Sequence, residues 1–474
     1  MTQKRSIVWF RQDLRLADNP ALIDACRAGD ILPIYILDDM HAGDFKMGGA
    51  SRVWLHHALT ALNTALNGHL LCFKGSASEI LEQLIDTYEI TDIYWNRCYE
   101  PWRIHRDKNI KETLDVNCHS SNGSLLWEPW TVLKNDGTPY KVFTPYYKNG
   151  CLQAMAPRKP MATPTDISFI KHQGNDDHTI TSLNLLPSLD WGETITDGWS
   201  MDEDGIAEQC RDFISQNLQG YKEKRNFPSA PNISKLSPAL HFGQISPNMI
   251  WHMVQQAGID FQCEEDAAFY CSELGWREFS YYLLYHFPNL PTDNIQSKFD
   301  LFPWQKQDDL IEKWQKGQTG YPIIDAAMQE LWQTGFMHNR LRMVVASFLV
   351  KNLLQDWRVG AAWFWDCLFD ADLASNSASW QWVAGCGVDA APYFRIFNPV
   401  TQGEKFDKDG DYIRKYLPVL KDVPAKFIHT PWNAPTPILQ QANVTLGEDY
   451  PRPIVDLKET RARALEALAQ TKTD

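Results

Sequence analysis

The chain has 474 residues and carries 59 acidic against 45 basic side chains, a net charge of −14 with histidine neutral. That length suffices for two or three domains with sizeable cores, and the acidic balance excludes a uniformly basic nucleic-acid coat while allowing a local basic patch. The ten cysteines are scattered without a CxxC pair, the opening MTQKRSIVWF lacks an apolar signal region, and runs such as MVVASFLV are too short to span a bilayer. The expectation is a reducing cytoplasm and no membrane role.

Short β-branched runs alternate with amphipathic stretches in the first part: SIVWF, ALIDACRAG, ILPIYIL, VWLHHALTALNTAL, HLLCF, SEILEQLIDTY and DIYWN. That order predicts a parallel sheet wrapped by helices. Asp18, Asn19 and Pro20 read as a helix start, and Asn67-Gly68 as a stop after the following helix. No GxGxxG follows the first strand, which argues against ordinary dinucleotide binding there. From roughly residue 150 to 200 the chain turns polar and proline-bearing (MAPRKPMATPTD, KHQGNDDH), as a long connector does. Long helical patterns dominate beyond it, and DLKETRARALEALAQTKTD closes the chain as a short amphipathic helix. Neither half shows an internal repeat or a low-complexity tract.

Polar residues and tryptophans interrupt apolar helical sequence in NRLRMVVASFLVKNLLQDW and DADLASNSASWQWVAGCGVDAAPYFRIFNP. A helix begun near His338 puts Asn339, Met343, Ala346 and Val350 on one stripe and His338, Arg342, Val345 and Leu349 on the next. Basic and amide groups on a core face are costly unless paired, so an anionic or hydrogen-bonding ligand is the economical explanation, with Asp370, Asp372 and Asn376 as candidate partners.

TGYPIIDAAM, MHNRLRM, WQW and DAAPYFRIFNP, with VWFRQDLRLADNPAL at the start, resemble the DNA photolyase and cryptochrome family nearly end to end. The pattern is most similar to bacterial cyclobutane pyrimidine dimer photolyases of class I or class III, and GGASRVWLHHAL to the class III branch. The resemblance implies an α/β parallel doubly wound sheet domain over residues 1–135 that binds an antenna, a connector over 136–200, and an all-α FAD- and DNA-binding domain over 201–474.

By the same resemblance, Tyr221, Ser234, Lys235, Leu236 and Ser237 hold the FAD diphosphate. Hydroxyls and free backbone N–H groups at a helix start favour an anion; Ile233 stands where relatives usually carry threonine. Arg342, Asp370, Asp372 and Asn376 match positions around the isoalloxazine ring: the guanidinium beside the anionic reduced ring, Asp370 orienting it, Asp372 accepting from the imide and Asn376 facing N5. Glu273, Trp276, Asn339, Arg340, Met343 and Trp382 match the substrate pocket, Glu273 as a neutral donor to a pyrimidine carbonyl or, alternatively, in a salt bridge to Arg277 or to another helix. Arg225 and Arg340 are candidate DNA contacts, and His338 reads as structural. Of 19 tryptophans, Trp304, Trp357 and Trp380 match an electron-hopping chain from the surface to the flavin.

The implied activity is light-driven repair of cyclobutane pyrimidine dimers in damaged DNA by a monomer. Trp102 and Arg103 stand where folate-binding class I enzymes carry an amide and an acid, so the resemblance implies methenyltetrahydrofolate held in a different pose, as in the class III branch, with 8-hydroxy-deazaflavin as the alternative. The alternatives are a cryptochrome-like blue-light photoreceptor, a pyrimidine-pyrimidone photoproduct photolyase, an enzyme for single-stranded substrates, and a non-catalytic flavoprotein that binds DNA.

Overall fold

The computed structural model describes residues 4–171, 177–188 and 191–471. The parts of the expected connector at 172–176 and 189–190 lie outside the described residues. Five parallel strands form the first half: β1 (Lys4–Phe10), β2 (Gly29–Leu37), β3 (Leu71–Lys74), β4 (Asp92–Asn96) and β5 (Asn117–Ser121), in the order β3-β2-β1-β4-β5. Strand periodicity splits β1 between two cores, Val8 and Phe10 on one face of the sheet and Ile7 and Trp9 on the other. The helices Pro20–Ala28 and Gly49–Ala65 cover the first face, and Ala77–Tyr88 and Pro101–Thr113 the second. The Asn19 side chain caps its helix by accepting from Leu22 N–H, and the helix Gly49–Ala65 stops before Asn67 and Gly68, both at positive φ.

β5 and the helix Pro101–Thr113 went unread in the sequence. The strand is the polar edge segment NCHSS, paired to β4 through its backbone with no apolar alternation to betray it.

Leu125, Leu126, Trp127, Phe143, Tyr146 and Tyr147 belong to a helical core that also holds Leu274, Phe279 and Tyr282. Glu278 ties this segment down: its buried carboxylate accepts from the N–H groups of Leu126 and Trp127 at 2.8 and 3.1 Å. Burial pushes its pKa up to about 7 against the pull of Arg277 and those two N–H groups.

The second half is helical. Glu264–His286 packs on Pro247–Asp260 and Leu373–Ala384, and the latter packs on Trp357–Cys367. Gln381 fixes Leu373–Ala384 by donating to the carbonyls of Leu290 and Asp293 and accepting from Ile295 N–H. The helix that begins at Asn339 is α-helical only to Ser347 and continues as a π-helical turn over Phe348–Asn352. The α-helical register drawn from its sequence therefore holds only to Ser347, and Leu349 and Val350 lie past the break, in the same buried core as Val345 and Ala346. The last helix, Leu457–Gln470, docks on that π turn through Asn352, which donates to Thr460 Oγ1 at 2.9 Å and accepts from Arg463 at 2.6 Å.

The halves meet at Gln12–Arg15. Leu14 N–H donates to Phe242 O at 3.1 Å, and Arg15 donates to Gly243 O at 2.7 Å. Gly243 has φ +69°, and a Cβ there would lie 2.0 Å from Gln12 O, so the close approach requires glycine. All ten cysteines are free thiols. Among the described residues, no helix is long and apolar enough to cross a membrane and no side-chain cluster could hold a metal ion.

Candidate functional site

Two helical cores face each other across a cavity of about 570 Å³, within the usual range for cofactor sites. The five residues Tyr221, Ser234, Lys235, Leu236 and Ser237 line one region of it, with Ile233 beside them. Ser234 Oγ accepts from Tyr270 at 3.0 Å, and Gln209 holds its carbonyl at 2.7 Å. Lys235 has φ +52°, an uncommon backbone state for a non-glycine residue.

Arg342, Asp370, Asp372 and Asn376 line another region. Arg342 Nε donates to Met337 O, and a terminal nitrogen donates to Asp370 Oδ2, both at 2.8 Å. Asp370 Oδ1 is buried without a partner, an acceptor aimed at nothing the protein supplies. Asp372 caps the helix Leu373–Ala384 through Ser375 N–H at 2.7 Å and accepts the Tyr281 hydroxyl on its other oxygen. Burial alone would push its carboxyl up, but His241, Tyr281 and Ser375 N–H together hold it down at about 2. Asn376 donates its amide to Ala361 O at 3.0 Å, which leaves its carbonyl oxygen free.

At the remaining wall stand Glu273, Trp276, Asn339, Met343 and Trp382, all lining the same cavity. Trp276 stacks on Phe143 at 3.7 Å with 12° between planes, so one ring face is braced by the segment leading from the sheet domain. Glu273 is not a lone acid and does not pair with Arg277. It forms an ion pair with Arg225, whereas Arg277 donates to Ser124 O and Glu278. Arg225 lines the cavity too, and its guanidinium lies 5.4 Å from the ring centres of both Tyr221 and Phe269.

Arg340, Trp304 and Trp357 lie outside the lining. Arg340 is half-buried, donates to Asn226 and rests its guanidinium 4.5 Å above the Phe406 ring. Trp380 lines the cavity, Trp357 is fully buried and hydrogen-bonded to Asn294 at 3.0 Å, and Trp304 is partly exposed. Gly360, on the helix Trp357–Cys367, lets Trp380 approach that helix directly.

His338 caps the helix it precedes by accepting from Arg340 N–H at 3.1 Å. Burial, reinforced by Arg225, Arg340 and Arg342, pulls its pKa down to about 4, so the ring is neutral at ordinary pH.

Sequence reasoning missed His241 and Tyr281 and named Arg277 only as a partner for Glu273, though all three line or support the cavity. Helical spacing held the signal, since His241 is four residues from Ser237, and Glu273, Arg277 and Tyr281 recur every fourth residue on one face. In the sheet domain a cavity of about 40 Å³ lies among Trp9, Tyr35, Trp102, Arg103 and Arg106.

A sheet domain joined to a helical domain with a deep cofactor-sized cavity is the architecture of flavin-dependent photolyases and their photoreceptor kin. The family model described as "DNA photolyase" matches residues 6–165, and that described as "FAD binding domain of DNA photolyase" matches residues 269–470. A curated deoxyribodipyrimidine photo-lyase of Agrobacterium fabrum is 44% identical over 476 residues, covering 98% of each chain. Cryptochrome-1 of Arabidopsis thaliana is 35% identical over 486 residues, 98% of this chain and 70% of that one. The crystal structure of a bacterial class III photolyase from Agrobacterium tumefaciens superimposes with a TM-score of 0.95 at 43% identity, covering 100% of this chain and 99% of that one. The chain belongs to the DNA photolyase and cryptochrome family.

Proposed function

We propose that the protein is a deoxyribodipyrimidine photolyase that binds FAD in the large cavity and repairs cyclobutane pyrimidine dimers flipped out of DNA into the same space. One observation carries this reading. A single cavity joins the Arg342–Asp370 pair, Asp372 and Asn376 to the aromatic and thioether wall of Trp276, Trp382 and Met343. The relatives named as photolyases over nearly the whole chain support it.

The cavity suits FAD on its own chemistry. Asp370 Oδ1 is buried without a protein partner, and the Asn376 carbonyl oxygen is left free, as expected of groups that await a polar ring system. FAD held there would supply, in its reduced and light-excited state, the single electron that splits the two bonds joining the pyrimidines, with no net redox change. Arg342, fixed by Asp370 through a 2.8 Å bond, would hold positive charge beside it. Asp372, ionised, is an acceptor only and would take a ring N–H.

For the dimer, the exposed face of Trp276 and the Trp382 ring stack on the pyrimidine pair, and Asn339 and Glu273 meet its imide edges. Damage already weakens stacking and pairing, so flipping costs less than for intact bases. Arg225 and Arg340 contact phosphate or the lesion edge. Arg225 also neutralises Glu273, so lesion binding redistributes an existing ion pair instead of desolvating a lone acid. Acid-base chemistry on the pyrimidine-pyrimidone photoproduct calls for a titrating histidine here. His338 is neutral, buried and engaged as a helix cap, which favours the cyclobutane dimer. Trp380, Trp357 and Trp304 relay electrons from the surface to the flavin site.

For the antenna we favour a folate over a deazaflavin. The 40 Å³ cavity beside Trp102 does not enclose a pterin as it stands, and the absorption spectrum of the released chromophore decides its identity. The test of the proposal is illumination of duplexes bearing either lesion. Restoration of cyclobutane dimers but not of pyrimidine-pyrimidone products is expected, and the reverse selectivity contradicts it.

A further inference from the structure

His241 faces Asp372 across the cavity wall, yet it is only 8% exposed and its Nδ1 is buried without a hydrogen-bond partner. The ring ends the short helix Ser237–His241 and stands edge-on to Phe242 with 4.7 Å between centres. Its Nδ1 lies 3.6 Å from Asp372 Oδ2, just beyond hydrogen-bond length. The same Oδ2 accepts the Tyr281 hydroxyl, and Oδ1 accepts Ser375 N–H at 2.7 Å. A carboxylate offers about four acceptor positions, so with His241 engaged three are taken from three different elements and one remains for the cavity.

The backing of His241 prevents retreat. Phe242 O and Gly243 O are held by Leu14 and Arg15 of the sheet domain, and Gly243 abuts Gln12 O so closely that no side chain fits between them. Gln244 accepts from the Trp54 indole at 2.7 Å. The backbone that carries the imidazole is therefore anchored at the junction between the two halves.

We propose that His241 is a positioning residue for the flavin: by donating from Nδ1 to Asp372 it fixes that carboxylate in one orientation, so that the remaining lone pair receives the imide N–H of the isoalloxazine ring. The inference rests on the reading of the cavity as the FAD site and deepens it. Tyr281 and Ser375 alone leave Asp372 free to pivot about the shared line of its two existing bonds. A third donor removes that freedom, and it supplies the polar contact that burial of an ionised carboxylate demands. It also couples flavin binding to the sheet domain, because the strap that carries His241 is anchored there.

The test is a chemical double-mutant cycle on apo-protein titrated with FAD and with 3-methyl-FAD, which lacks the imide N–H, read by flavin fluorescence. In the wild type, methylation is expected to weaken binding by about tenfold or more, the scale of one hydrogen bond to a charged acceptor. In His241→Ala that gap narrows to about threefold or less while FAD itself binds more weakly. His241→Asn, whose amide nitrogen falls near the position of Nδ1, restores most of the gap; His241→Leu, which fills the volume without a donor, does not. A full wild-type gap in a folded His241→Ala or His241→Leu protein overturns the proposal. Failure of the wild type to bind FAD at all sinks the flavin reading itself, a distinguishable outcome.

Discussion

Gly360→Ala is a small change with a large predicted effect on the flavin cavity. A Cβ at Gly360 would lie 2.1 Å from Trp380 Cη2, 2.5 Å from its Cζ3 and 2.7 Å from Leu349 Cδ2. Trp380 is 2% exposed and is boxed in by Phe364 at 5.0 Å and Trp314 at 6.4 Å between ring centres, so the indole can yield only into the cavity it lines. Overpacking costs about 2 kcal/mol when a bound cofactor denies the indole that space, whereas the helical preference of alanine is shared by the free and bound forms and cancels. That penalty, about 2 kcal/mol, corresponds to roughly thirtyfold weaker binding. The assay is titration of apo-protein with FAD, with circular dichroism as the control for folding. Adding Trp380→Phe, which removes the clashing distal ring atoms, should recover most of the affinity while leaving photoreduction of the flavin impaired. If Gly360→Ala binds FAD as the wild type does and photoreduces at the same rate, Trp380 is not the cavity wall this reasoning takes it to be.

Trp304→Phe should suppress photoreduction of oxidised flavin yet leave repair by chemically reduced enzyme intact; loss of both would make Trp304 a packing residue. Glu273→Ala should lower repair yield by about tenfold, the scale of one lost hydrogen bond to a charged group. DNA affinity should change far less, because its partner Arg225 stays cationic, and an effect on affinity alone would contradict the assignment. Arg340→Ala should weaken binding to damaged and undamaged DNA alike and reduce the slope of log affinity against log salt by about 1, the signature of one phosphate contact. His338 gives a pH prediction. Its folded pKa of about 4 lies below the ordinary 6.5, so the unfolded chain binds the proton first as pH falls. Its stabilising contribution is complete above pH 6.5 and drains away toward pH 4, by roughly 3 kcal/mol. Urea midpoints for wild type and His338→Asn should converge across that window; parallel curves would refute the neutral-cap assignment.

What could be read from sequence was local. Short apolar runs such as SIVWF and ILPIYIL, alternating with amphipathic stretches, announce parallel strands wrapped by helices without any partner being known, and Asn19 announces a helix start because a cap bonds within three residues. β5 was invisible because its pairing is made by backbone groups that no side chain reports. The site residues were found by resemblance and by helical spacing, but their partners were not. Arg225 and Glu273, Phe143 and Trp276, and His241 and Asp372 are each brought together by the tertiary fold. A run of apolar residues also concealed the π-helical turn at Phe348–Asn352, where the helical register that sequence projects forward is broken.

The most direct measurement is repair of a cyclobutane-dimer duplex by apo-protein reconstituted with FAD and chemically reduced, in parallel samples kept dark and illuminated. The account predicts dimer loss in the illuminated FAD sample alone, with none in the dark or without the cofactor. Equal repair in darkness, or no repair by a reconstituted, illuminated enzyme, would contradict it.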